Sequence, residues 1–300
     1  MYQVKRPSRS TFLAIRTLQY HVRIWGEPGP EKTPLILLHG WMDVGASYQF
    51  MVDALGSQHY IVAPDWRGFG LSSSDGADCF WFPDYLGDLD ALMDHLAPEC
   101  PVNLVGHSMG ANVAMLYAGI RAGRVRRLVN LEGFGMPATQ AEQAPGRYAQ
   151  WLNQLKQARA GQRNLRSYDT LQAVADRLMH NNPRLTQDKA LWLAGHWSIE
   201  QQPGLWTILG EPAHKLSSAQ LYRVDETLAV HRQITAPSLM VQAADDNLSH
   251  WWGDSFGQSE HLERLKAVPN LRVVKLPECG HMLHHDQPER LAELIEDFLA

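Results

Sequence analysis

Six short apolar runs punctuate this chain, and the stretches between most of them are patterned as helices. Leu35-Ile36-Leu37-Leu38 is uninterrupted, as a strand buried on both faces must be. Ile61-Val62-Ala63, Val102-Asn103-Leu104-Val105, Leu128-Val129-Asn130-Leu131, Ser238-Leu239-Met240-Val241 and Val273-Val274-Lys275-Leu276 repeat the motif. Tyr85, Leu89, Leu92, Met93 and Leu96 recur at helical spacing, as do Met109, Val113, Leu116 and Tyr117. From Pro288, the residues Leu291, Leu294, Ile295 and Phe298 outline an amphipathic helix with proline near its start. Near the N-terminus, 11–17 and 20–25 alternate like exposed antiparallel strands. Strand and helix in alternation predict an α/β fold with a mostly parallel central sheet and helices on both faces.

One region breaks the rhythm. Over 134–232 no convincing strand appears, and Pro145, Pro183, Pro203 and Pro212 punctuate a segment rich in Gln, Arg, Trp and Leu. It reads as a helical insertion into a core formed by 1–133 and 233–300. Its Trp151, Trp192, Trp197 and Trp206 line either a pocket or the insertion's own core. A chain of 300 residues has room for both parts.

Composition narrows the functions. At 45% hydrophobic and 20% charged residues the chain is ordinarily globular. A net charge of -5 and scattered basic residues argue against a nucleic-acid partner, and Arg124, Arg126 and Arg127 read as a solvated edge. No apolar stretch nears the ~18 residues of a membrane span. The apolar run from Phe12 is too short for a signal peptide and Arg16 interrupts it. Cys79, Cys100 and Cys279 form neither a disulfide framework nor a C-x-x-C pair, which fits a reducing compartment. The expectation is a soluble cytoplasmic protein acting on a small molecule.

Gly106-His107-Ser108-Met109-Gly110 matches G-x-S-x-G. The pattern alone is weak: a random chain of this length matches about one time in ten. A second match, Gly253-Asp254-Ser255-Phe256-Gly257, lies in the same chain. Context separates them, because a nucleophile elbow needs a buried strand before it and a helix directly after. Ser108 has both. Ser255 follows Leu248-Ser249-His250-Trp251-Trp252, which is no buried strand, and reads as a loop residue.

A serine hydroxyl needs a base. His281, in Gly280-His281-Met282 between the last strand and the last helix, has the position for it. His284, His285 and Asp286 nearby suggest a metal cluster, but no matching ligand set is apparent elsewhere, so they read as loop and helix-start residues and no metal is expected. The orienting acid belongs at a strand end between Ser108 and His281. Asp245 and Asp246 follow the strand at 238–241, and Glu132 ends the one at 128–131. Oxyanion donors are expected from the backbone N–H of Met109 and of Trp41, the latter in the turn His39-Gly40-Trp41.

Taken together, these pieces resemble the α/β-hydrolase superfamily over nearly the whole chain. His39-Gly40, the stretch Asp65-Trp66-Arg67-Gly68-Phe69-Gly70-Leu71-Ser72, Gly106 to Gly110, Asp245-Asp246 and Gly280-His281 fall in the family's order. The resemblance implies a helical cap at 134–232, no cofactor, and Asp246 as the acid, the fourth position of a G-x-x-D pattern whose glycine is Ala243 here. It gives the D-x-R-G-x-G-x-S stretch an architectural role. The His39-Gly40-Trp41-Met42-Asp43 loop is similar to the serine hydrolase-like and general esterase branch. Branches with an aspartate nucleophile are disfavoured by Ser108. The expected activity is cleavage of an uncharged ester in a mostly apolar pocket, with His39, Gly40, Phe134, Trp151 and Trp192 as candidate lining. A cofactor-free perhydrolase or haloperoxidase-like enzyme, a carbon–carbon bond hydrolase, and a non-catalytic ligand-binding protein are the alternatives.

Overall fold

The structure, a computed structural model, describes residues 2–245 and 247–300. In chain order the strands are β1 (Arg9–Ile15), β2 (Leu18–Trp25), β3 (Leu35–Leu38), β4 (Ile61–Pro64), β5 (Val102–His107), β6 (Val125–Leu131), β7 (Ser167–Tyr168), β8 (Ser198–Gln202), β9 (Leu205–Ile208), β10 (Ser238–Ala243) and β11 (Leu271–Leu276). The α-helices are α1 (Gln49–Val52), α2 (Phe82–Leu96), α3 (Met109–Ile120), α4 (Ala144–Arg159), α5 (Leu171–Asn181), α6 (Gln187–Trp197), α7 (Val224–His231), α8 (Asn247–Trp252), α9 (Gln258–Leu265), α10 (Leu283–Asp286) and α11 (Pro288–Leu299).

Eight strands form one sheet in the order β1-β2-β4-β3-β5-β6-β10-β11. The pairs from β4 onward are parallel, whereas β2 meets both β1 and β4 antiparallel. Every residue of β3, β4, β5 and β10 is buried, because helices cover both faces of the central strands. On one face Ile36 and Leu104 pack with α2 and α3 through Leu89, Leu92, Val113 and Ala114. On the other, Leu37, Val105 and Val241 pack with α1 and α11 through Met51, Leu291 and Ile295.

The segment between β6 and β10 is not wholly helical. Besides α4 to α7 it holds a three-stranded sheet, β7-β9-β8, which corrects the expectation of no strand there. The signal was hidden because all but the first residue of β8 are exposed and most are polar, so it has no apolar run. Pro203-Gly204 turns β8 into β9, with Gly204 at φ 75°, a proline-glycine turn that only the tertiary pairing reveals as a hairpin. The segment is fastened to the core at several points. Trp197 Nε1 donates to Met42 O at 2.8 Å, Gly70 N to Leu209 O at 3.0 Å, and Glu211 N to Gly68 O at 3.0 Å. A third apolar cluster joins Val44 and Phe50 of the core to Val174, Leu193 and Trp197.

Two close approaches place α3. A Cβ on Gly110 would stand 2.2 Å from Leu38 O, and one on Gly106 would stand 2.5 Å from the Cα of Ala111. Both obstacles are backbone and cannot swing aside, so α3 reaches the ends of β3 and β5 only with glycine at these positions. Gly110→Ala and Gly106→Ala should each lower stability by about 1–3 kcal/mol or more. Gly123→Ala, with open space around it, should stay within about 0.5 kcal/mol of the parent. Thermal denaturation followed by circular dichroism checks this.

Candidate active site

Parallel strands carry their C-terminal ends to one edge of the sheet, where open α/β folds collect functional groups. Ser108 stands there between β5 and α3 with φ 51° and ψ -115°, a conformation costly for any residue with a side chain. Its N–H donates to Leu131 O at 2.8 Å and its carbonyl accepts from Asn112 N at 3.1 Å, which hold the turn on both sides. The Ser108 side chain makes no capping bond to its own helix. Met109 opens α3, so its N–H has no acceptor within that helix and points into the region where negative charge is favoured.

His281 follows β11. Its carbonyl accepts from His107 Nε2 at 2.8 Å, which ties its backbone to the residue before Ser108. Its ring stands edge-on to Trp251 with centroids 4.3 Å apart. The side chain keeps 19% exposure, and burial lowers its pKa to about 3, so the imidazole is the neutral form that can accept a proton. Its Nδ1 faces Glu132 Oε2 at 3.4 Å, a long contact. Burial raises Glu132 to about 7. Desolvation moves both groups toward their uncharged forms, so the resting contact is a weak hydrogen bond and not a firm ion pair. Nδ1–H directed at Glu132 leaves the lone pair on Nε2.

Glu132 does more than face His281. It sits at φ 57° and accepts from Ala243 N at 2.6 Å and from Asn247 Nδ2 at 2.8 Å. These two donors lie on either side of position 246 in the chain, and Asp246 itself lies outside the described residues. Asp245 is directed elsewhere: it is half-exposed and paired with Arg184 at 2.7 Å.

A sequence profile described as "alpha/beta hydrolase fold" matches residues 33–288. The chain belongs to the α/β-hydrolase fold family. A serine hydrolase-like protein from Danio rerio is 26% identical over 280 residues, covering 92% of this chain and 84% of that protein. Among solved structures, a hypothetical protein from Pseudomonas aeruginosa PAO1 superposes with a TM-score of 0.84 at 25% identity, covering 97% of this chain and 99% of that one. A thioesterase domain from the curacin biosynthetic pathway gives 0.83 at 25% identity, with the same coverage.

In this hydrolase fold the sequence-derived residues fall into two groups. Gly40 is at the site: a Cβ there would stand 3.2 Å from Ser108 Cβ. Trp41 is 51% exposed and its indole Nε1 donates to His214 O at 3.2 Å, so the segment between β6 and β10 holds this loop too. Phe134 packs edge-on against His261 and faces Trp251. His39 does not line a pocket. It is fully buried, with Nδ1 on Gly40 O at 2.7 Å and Nε2 accepting from Trp66 N at 2.9 Å. Trp192 packs against Tyr2, Phe50 and His196, and Trp151 against Trp81, both as packing residues. Ser255, the decoy, lies in a 3-10 turn with Oγ on Trp252 O at 2.5 Å. The Asp65 stretch is a brace: its carboxylate accepts from Gly45 N at 2.7 Å and Leu71 N at 3.0 Å and meets His21 Nδ1 at 2.7 Å.

Sequence reasoning passed over Trp251, whose only signal was its place just after the Asp245-Asp246 turn. It also found no partners for His284. Asp43 and His107 are those partners, and the three offer ligand atoms within 4.8 Å of one another. A cavity of about 130 Å³ opens beside Glu132, lined by Phe134, Gln242, Asn247 and Lys275 among others. It is small for a ligand pocket and lies beside Glu132, whose carboxylate also faces His281.

Glu132 carries a pH signature. Its folded pKa is raised from 4.5 to about 7, so the folded state holds this proton more tightly than the unfolded chain. That contribution is present below pH ~4.5 and is lost as pH rises through ~7. A shift of this size is worth on the order of 3 kcal/mol. Glu132→Gln should therefore gain stability relative to the parent as pH rises from 5 to 8, measured as the difference in chemical-denaturation midpoints.

Proposed function

We propose that this protein is a serine hydrolase that cleaves a carboxylic ester through an acyl-enzyme. One observation carries the reading: a strained Ser108 at a helix N-terminus shares a sheet edge with a neutral His281 whose Nδ1 side is closed by a buried carboxylate. Ser108 Oγ attacks the ester carbonyl while His281 Nε2 takes its proton. The N–H groups of Met109 and Trp41 stabilise the tetrahedral oxyanion. His281 returns the proton to the departing alcohol, and water repeats the sequence on the acyl-enzyme.

Asp246 orients the imidazole and stabilises its cation, and Glu132 fixes the turn that presents Asp246. The Ala243 and Asn247 bonds on either side of residue 246 support this division. The half-exposed Trp41 and Trp251, the latter against the His281 ring, support an uncharged, partly apolar substrate. Ester and thioester carbonyls take the same path, and the similarity to a thioesterase domain makes thioesters the second substrate class to assay.

Hydrolysis of p-nitrophenyl esters of graded chain length, beside thioesters, lactones and amides, tests the reading. Ser108→Ala should lower kcat by at least about 10³-fold. Asp246→Asn should cost about 10³–10⁴-fold, as loss of the correct tautomer does elsewhere, and Glu132→Gln about tenfold. The reverse order of the last two would assign the acid to Glu132, and full activity in Ser108→Ala would end the proposal.

A further inference from the structure

Asp43, His107 and His284 form a buried constellation that the hydrolytic reaction does not use. All three are buried, and their ligand atoms lie within 4.8 Å of one another. Asp43 Oδ2, His107 Nδ1 and His284 Nδ1 have no hydrogen-bond partner among the described residues. Unpaired polar atoms on three converging side chains in a protein interior are costly unless something bridges them.

The other ring nitrogens say what the bridge needs. His107 Nε2 faces a carbonyl, His281 O, at 2.8 Å and must carry the proton. The lone pair is then on Nδ1, the atom left without a partner. His284 Nε2 is engaged by Ser47 Oγ at 3.0 Å, and that hydroxyl also meets His285 Nε2 at 2.7 Å. The same hydroxyl hydrogen-bonds the Asp43 carboxylate, which can only accept; with its proton on Asp43, Ser47 accepts from His284 Nε2, which leaves the His284 lone pair on Nδ1 as well. A histidine whose far N–H is fixed by a carbonyl or a hydroxyl is the usual arrangement of a metal-ligating histidine. Asp43 is the one carboxylate of the set.

We propose that Asp43, His107 and His284 form a binding site for one divalent transition-metal ion of the zinc class. Two imidazoles and a carboxylate suit zinc and its neighbours better than magnesium or calcium. Donors this close need only modest side-chain rotation to come within about 2.0–2.2 Å of a shared centre. The ion joins three segments: the loop after β3 that carries Gly40 and Trp41, the nucleophile elbow, and the segment following His281. It acts as a clamp behind the site and takes no part in bond breaking.

Tag-free protein, stripped with chelator and dialysed against Zn²⁺, is assayed for metal by plasma mass spectrometry and for melting temperature. The expected result is one equivalent of zinc per chain and a higher melting temperature with Zn²⁺ but not with Mg²⁺. Asp43→Asn and His284→Gln should each abolish both effects, while Ser108→Ala should keep them, whatever becomes of the hydrolase reading. Should a variant fail to fold, anomalous diffraction at the zinc edge from wild-type crystals locates the ion directly. No stoichiometric zinc, zinc that survives both substitutions, or a water in place of an anomalous peak would overturn the proposal.

Discussion

The backbone contact between α3 and the ends of β3 and β5 governs everything else at this sheet edge. Gly110 lets the first turn of α3 lie against Leu38 O and His39 O, and Gly106 lets the strand pass directly beneath Ala111. That packing leaves no room for a relaxed link between β5 and α3, so Ser108 takes φ 51°. The strain is held by the surrounding core, in which Leu38, Leu104 and Val113 are fully buried. The same contact brings Gly40 beside Ser108 and sets the open end of α3 where a developing negative charge would fall.

Around this turn, the remaining groups are positioned from two directions. The sheet supplies Glu132 and the His281 segment from neighbouring strand ends. The segment between β6 and β10 holds the loops from outside: Trp197 on Met42, His214 on Trp41, Arg184 on Asp245, and Asn182 on Asp286, whose other oxygen accepts from Gly280 N. Asn182 and Arg184 thus brace the loops on either side of His281 from a segment that contributes neither Ser108 nor His281. Low polarity then sets the protonation states: burial lowers the His281 pKa and raises that of Glu132, so both lean toward their uncharged forms.

The central sheet was legible because burial on both faces writes itself as continuous apolar runs, as in Leu35–Leu38 and most of Ser238–Ala243. The elbow was legible for the same reason, since a buried strand and an apolar-periodic helix bracket Ser108 and not Ser255. What sequence could not reveal were features made by long-range contact. β8 is exposed along most of its length and finds its place only by pairing with β9. His39 reads as lining, and its burial is a tertiary fact: Trp66, 27 positions away, donates to its ring. His284 gains partners only when Asp43 and His107 are folded beside it. Glu132 stood among the candidate acids on position alone, and its grip on Ala243 and Asn247 is a tertiary fact.

The account stands on Ser108 being the activated alcohol. Reaction with a fluorophosphonate, digestion and peptide mapping by mass spectrometry tests this directly. The account predicts a single stoichiometric adduct on the peptide bearing Ser108, absent when His281 is replaced by alanine. An adduct on Ser255, or none on the folded wild-type protein, would contradict it.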